Sequence, residues 1–149
     1  MKPAPTWPSK ALLVLVPIQG FLLAVEYLLG MWTNLYAPSA FTDSTSFPSL
    51  DWHYTNGYVL GVVAILTVVL AALSRKVPYL VLGLVALGAI LGAGLSGQAF
   101  VGSAPNNPID SFSMSLAFLF AMIATLLFGV VIRMGRFPSV GAVGGTPTA

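Results

Sequence analysis

The chain has 149 residues, of which 57% are hydrophobic and only 7% charged, and its net charge is +2. So few polar side chains cannot clothe a water-soluble globule of this length, and the composition is that of an integral membrane protein. Six scattered basic residues are too few for a nucleic-acid footprint, and the absence of cysteine excludes disulfides, iron–sulfur clusters and covalent c-type haem attachment.

Residues 1–10, MKPAPTWPSK, read as a short basic cytoplasmic segment. The apolar run that follows is longer than the core of a secretory signal and lacks a small-x-small cleavage site, so it reads as a retained first span, Ala11 to Leu35. Three further windows of membrane-crossing length run from Trp52 to Leu73, Pro78 to Val101 and Ser111 to Arg133. The expected architecture is one all-α four-helix transmembrane bundle over residues 11–133, followed by a flexible cytoplasmic tail, 134–149. Ser9, Asp51 and Asp110 are the expected N-caps of the first, second and fourth helices, and Pro78 suits the first turn of the third.

Lys2, Lys10, Arg75, Lys76, Arg133 and Arg136 all fall on one side of this arrangement. The positive-inside rule then places both termini in the cytoplasm of a multi-pass plasma-membrane protein. The two longer loops, YAPSAFTDSTSFPSLD and GSAPNNPID, carry Asp43, Asp51 and Asp110 and no base, and fall outside. Trp32, Tyr36, Trp52, Tyr54 and Tyr58 fall near the same boundary, where amphipathic rings prefer the headgroup layer. In the third span Gly88, Ala89, Gly92, Ala93 and Gly97 make a small-residue stripe, suited to close helix packing or to a groove for a flat cofactor or a partner subunit.

Few strongly polar side chains lie inside the spans: Gln19 and Glu26 in the first, His53 and Asn56 at the head of the second, Gln98 in the third. At about 1.5 Å per residue, all but Gln19 fall in the outer half of the bilayer. Glu26 is the sole acid within a span, and an ionised carboxylate at that depth costs several kcal/mol, so it must be neutralised, paired or face a wet cavity. One reading is a structural lock, a neutral Glu26 bonded to Gln98 or to a backbone carbonyl. The other is proton transfer or ligand binding.

His53, the only histidine, has Gly57 and Gly61 below it on one helical face. An imidazole above residues without side chains suits a haem, and it equally suits helix packing with His53 as an interfacial anchor. A second axial ligand from this chain would be methionine; Met31 and Met114 lie at the depth of His53, Met122 is deeper and Met134 is on the other side.

The phrases GMWTNLY, DWHYTNGYVLG, GLSGQAFVG and SFSMSLAFLFAM resemble a group of small four-span bacterial and archaeal membrane proteins, a resemblance that covers nearly the whole chain and conveys no activity. The histidine near a helix end in a four-helix bundle remotely resembles cytochromes of the b561 kind, or half of a haem A synthase. That likeness implies haem b, although those families use histidines on more than one helix. FLLAVEYLLG, with its glutamate in the first of four helices, is similar in outline to the small multidrug resistance transporters, which would make Glu26 the residue that alternates between protons and cationic substrates.

The expectation is a small membrane protein of redox or respiratory machinery, with haem b on His53 and Glu26 in a proton- or quinone-facing cavity. Two alternatives stand beside it: a cofactor-free accessory subunit, docked on other membrane subunits or on its own copies, and a proton-coupled exporter. No catalytic activity of its own is expected, because the chain has no close carboxylate pair, metal-ligand cluster or P-loop.

Overall fold

The computed structural model describes residues 7–35, 48–102 and 107–135. They form α1 (Trp7–Leu35), α2 (Ser49–Leu73), α3 (Val77–Gly102) and α4 (Pro108–Met134), each long and apolar enough to cross a membrane. The expected all-α four-helix bundle is therefore present. Its tail, along with Lys2, Tyr36, Asp43 and Arg136, lies outside the described residues.

The helices start earlier than the apolar windows suggest, because polar and proline-bearing first turns extend them. Pro8 sits in the first turn of α1, where a missing N–H costs nothing, and Ser9 is buried one residue further in, inside the helix rather than at its N-cap position. Asp51 lies in the first turn of α2, behind Pro48, where its charge favours the positive end of the helix dipole without a capping bond. The cap of α4 is Asn107, whose side chain accepts from the N–H of Ile109 at 3.0 Å, and Asp110 again falls in the first turn. Gly135 ends α4 in the left-handed conformation, its N–H returning to the Val131 carbonyl. Pro17 lies inside α1, and the helix continues through it.

Successive helices pack as neighbours and α4 closes back on α1, with little direct contact across the diagonals. In lipid no hydrophobic drive separates inside from outside, so close packing decides what is buried. Large apolar side chains such as Phe21, Leu28, Phe112 and Leu126 point outward, while Ala64, Ala71, Ala86, Ala93, Ala121 and Ala124 fill the interior. Along α3, Gly92 faces the Ala117 methyl of α4 and Gly97 faces the Met114 sulfur, whereas Gly88 meets open space. Two of the three glycines of the stripe thus serve the α3–α4 contact.

The interior is layered. Near the termini Leu12, Val16, Ala71, Tyr79, Phe128 and Ile132 form one apolar cluster, in which the Tyr79 and Phe128 rings lie 5.6 Å apart. In the opposite half Leu23, Leu60, Ala64, Ile90 and Ala121 form another. Between these levels Gln19 donates to the Thr125 hydroxyl at 3.1 Å, and Thr67 bonds back to the Val63 carbonyl at 2.9 Å. The Gln19 side-chain oxygen is buried without a partner. Interhelical hydrogen bonds in membranes are worth only about 0.6 kcal/mol on average.

Two substitutions separate packing from polarity. Gln19→Leu removes both the weak bond and the unpartnered oxygen, and should leave unfolding stability in mixed micelles within about 1 kcal/mol of the parent. Phe128→Ala empties a fully buried site and should cost about 3 kcal/mol by the same measurement.

Candidate functional site

The half of the bundle away from the termini contains the polar site. Leu22, Glu26 and Gly30 succeed one another at four-residue intervals on α1, so they share a stripe, and that stripe faces His53, Asn56 and Gly57 of α2. Glu26 is buried, its side chain only 10% exposed. One carboxylate oxygen, Oε2, accepts from the Asn56 amide at 2.6 Å. The same amide donates to the Leu22 carbonyl at 3.1 Å, which ties Asn56 to α1 at two points one turn apart.

The other oxygen, Oε1, lies 3.1 Å from Nδ1 of His53. The approach is close, but Nδ1 makes no aligned hydrogen bond to that oxygen. Glycine makes both placements possible. A Cβ at Gly57 would stand 3.0 Å from Glu26 Oε1, and one at Gly30 would stand 3.3 Å from His53 Cε1. The carboxylate and the ring each occupy room that a side chain would otherwise fill.

Beside this pair lies a cavity of about 300 Å³ to which all four helices contribute. Leu60, Ile90 and Ala93 are its buried floor; Glu26, His53 and Gly57 form part of its wall. Its rim includes the exposed residues Tyr58, Leu91 and Leu95, so it opens sideways, toward the space that lipid occupies. The volume is at the lower end of the range of about 300–1,000 Å³ typical of small-molecule sites.

The site residues expected from sequence divide accordingly. Glu26, His53, Gly57, Met31, Met114 and Gln98 all line the cavity. Asn56 stands behind it, holding the carboxylate. Gln98 is exposed on the rim, and the partners of Glu26 are His53 and Asn56. Met31 is exposed, while Met114 is half-buried with its sulfur against Gly97. Gly61 is not among the lining residues and a Cβ there would meet nothing within 4 Å. Sequence reasoning missed Gly30, although its position one turn beyond Glu26 on the same face was a usable signal. Among the described residues no group of three or more His, Cys, Asp or Glu side chains is placed to hold a metal ion.

No family model matches this chain, and neither a curated protein nor a solved structure is similar to it. What the fold defines is a class, a four-span integral membrane protein. The reading of its site rests on its own geometry.

The glycine contacts generate a paired test. Gly57→Ala should keep the fold, because the neighbour is the mobile end of a side chain, yet displace the Glu26 carboxylate; its infrared carboxyl and carboxylate bands should shift. Gly61→Ala should leave those bands where they are in the parent.

Proposed function

We propose that this protein is a membrane-embedded binding site for a lipophilic molecule with a protonatable oxygen, of the quinol and quinone class, and that the Glu26–His53 pair shares the proton with that oxygen. The observation that carries this reading is the 3.1 Å approach of carboxylate to imidazole on the wall of a cavity that is otherwise apolar. A hydroxyl on the ligand donates to the carboxylate or to an unprotonated ring nitrogen; a carbonyl accepts from a protonated one. The pair can therefore meet either form of such a ligand. The cavity suits a single ring system, and its side opening lets an apolar tail remain in the bilayer. Such a site belongs with redox or respiratory machinery, to which a quinol pool supplies the ligand.

The carboxylate's neighbours argue against the exporter. A lipophilic cation calls for a net negative site, and His53, 3.1 Å from Oε1, offsets the carboxylate's charge whenever the imidazole is protonated.

A second reading, haem b, has one detail of the pair in its favour and the cavity volume of about 300 Å³ against it, since a porphyrin is a four-ring macrocycle. Histidines that ligate metals commonly present their second ring nitrogen to a carboxylate, which fixes the ring and makes the ligating nitrogen more basic. Glu26 stands at Nδ1, so the nitrogen for iron would be Nε2 of His53, with Met114 as the thioether in the same cavity. The haem would supply one-electron chemistry; the chain would supply ligation and exclude water.

Quenching of tryptophan fluorescence measures the first reading, since Trp32 and Trp52 lie 6.1 Å apart at this end of the bundle. A short-tailed benzoquinone or naphthoquinone should bind the protein in nanodiscs. A hydrogen bond to a charged group is worth about 1.5–3 kcal/mol, so both Glu26→Gln and His53→Ala should weaken that binding about ten- to hundredfold. Unchanged affinity in both variants would remove the proposal. A Soret band in protein expressed with ample haem, lost in His53→Ala, would instead select the second reading.

A further inference from the structure

At the opposite end of the bundle, the turn between α2 and α3 carries Arg75 and Lys76 beside a groove of about 230 Å³, lined besides by Ala71, Ala72, Val77 and Leu80. Three features of this turn go beyond an ordinary basic loop. Arg75 has φ +56°, a left-handed conformation that a residue with a side chain adopts at a cost and glycine adopts freely. The sequence nonetheless places an arginine there. Lys76 is half-buried and held in position: its ammonium lies 3.4 Å from the Tyr79 hydroxyl and 4.9 Å from the centre of that ring. Tyr79 is itself fixed, fully buried against Phe128. Finally, the charges are segregated. Among the described residues Lys10, Arg75, Lys76 and Arg133 lie at this end, while Glu26, Asp51 and Asp110 lie in the other half, so no carboxylate is at hand to neutralise the turn.

We infer that this turn is a binding site for the phosphate of an anionic glycerophospholipid. The guanidinium of Arg75 offers a planar fork to two phosphate oxygens, and Lys76 adds a point charge with two of its three donors still available beyond Tyr79. The small side chain of the exposed Ala72 leaves space on α2 for the first part of an acyl chain, with Val77 and Leu80 as the facing wall on α3. A free phosphate would use the cations alone; the apolar groove beside them is what selects a lipid. The short, preset geometry of the turn separates this site from the diffuse attraction of basic residues to a negative surface.

The variant Arg75→Gly makes the inference testable, because it removes the charge while relieving the backbone. Native mass spectrometry of the full chain, with phosphatidylglycerol or phosphatidylcholine added to detergent-solubilised protein, reads the bound lipid. The parent should retain phosphatidylglycerol in preference to phosphatidylcholine. Arg75→Gly and Lys76→Gln should each lower that preference about fivefold, the factor expected for one basic residue near a membrane surface. Arg75→Gly should also melt at or above the parent temperature in phosphatidylcholine, which shows the loss is not unfolding. Arg133→Gln should keep the preference. The inference is overturned if both turn variants bind phosphatidylglycerol as the parent does, or if Arg133→Gln loses as much as they do. It is equally overturned if millimolar inorganic phosphate displaces the lipid, since a free anion would then be the ligand.

Discussion

The organisation of this protein depends on one buried carboxylate. Glu26 lies inside the bundle at a depth where a charge has no bulk water to solvate it, and the site around it compensates from within the chain. Asn56 and His53 approach its two oxygens from the neighbouring helix. The helix–helix contact is shaped to admit them, with glycine at position 57 leaving room for the acid and glycine at position 30 leaving room for the ring. Asn56 also grips the Leu22 carbonyl, so the polar link fixes the rotation of α1 against α2 as well as their separation. That rotation is what turns Glu26 and His53 toward the cavity.

The remainder of the bundle can be understood as the frame that keeps this half distinct from the other. Beneath the site, Leu60 and Ile90 close the cavity floor and belong to an apolar layer with Leu23, Ala64 and Ala121. Below that layer comes the Gln19–Thr125 bond, and below it the tightly packed cluster around Tyr79 and Phe128. The polar pair is thus separated from the basic end of the bundle by two apolar layers. The cavity beside Glu26 accordingly opens sideways, by Tyr58, Leu91 and Leu95, away from the basic end. At the basic end Tyr79 packs against Phe128 in the core and holds the Lys76 ammonium beside its hydroxyl.

The four spans were legible in the sequence because hydropathy over about twenty residues is a strong signal and the spans share no competing element. Their starts were less so. Pro8 and Pro108 extend α1 and α4 beyond the apolar windows, and the fragment NNPID held the clue in full: an asparagine followed by proline is a cap followed by a first helical residue. Depth was legible too, since counting residues placed Glu26, His53 and Asn56 at one level. Which of them touch was not, because contact depends on the rotation of each helix about its axis, and the nearly uniform apolarity of these helices gives no face to read it from. Gln98 illustrates the limit: at the right depth for a partner of Glu26, it lies exposed on the rim instead. Gly57 and Gly61 look equivalent in sequence, yet one accommodates a carboxylate and the other meets nothing.

Because the chain has a single histidine, its imidazole gives one set of ¹⁵N resonances, a direct reading of the claim that Glu26 and His53 act as one unit. With ¹⁵N-histidine in lipid nanodiscs, Glu26→Gln should move the Nδ1 resonance markedly, while the equally buried but remote Gln19→Leu should leave it in place. Superimposable spectra for the parent and Glu26→Gln would contradict the pairing on which the functional reading rests.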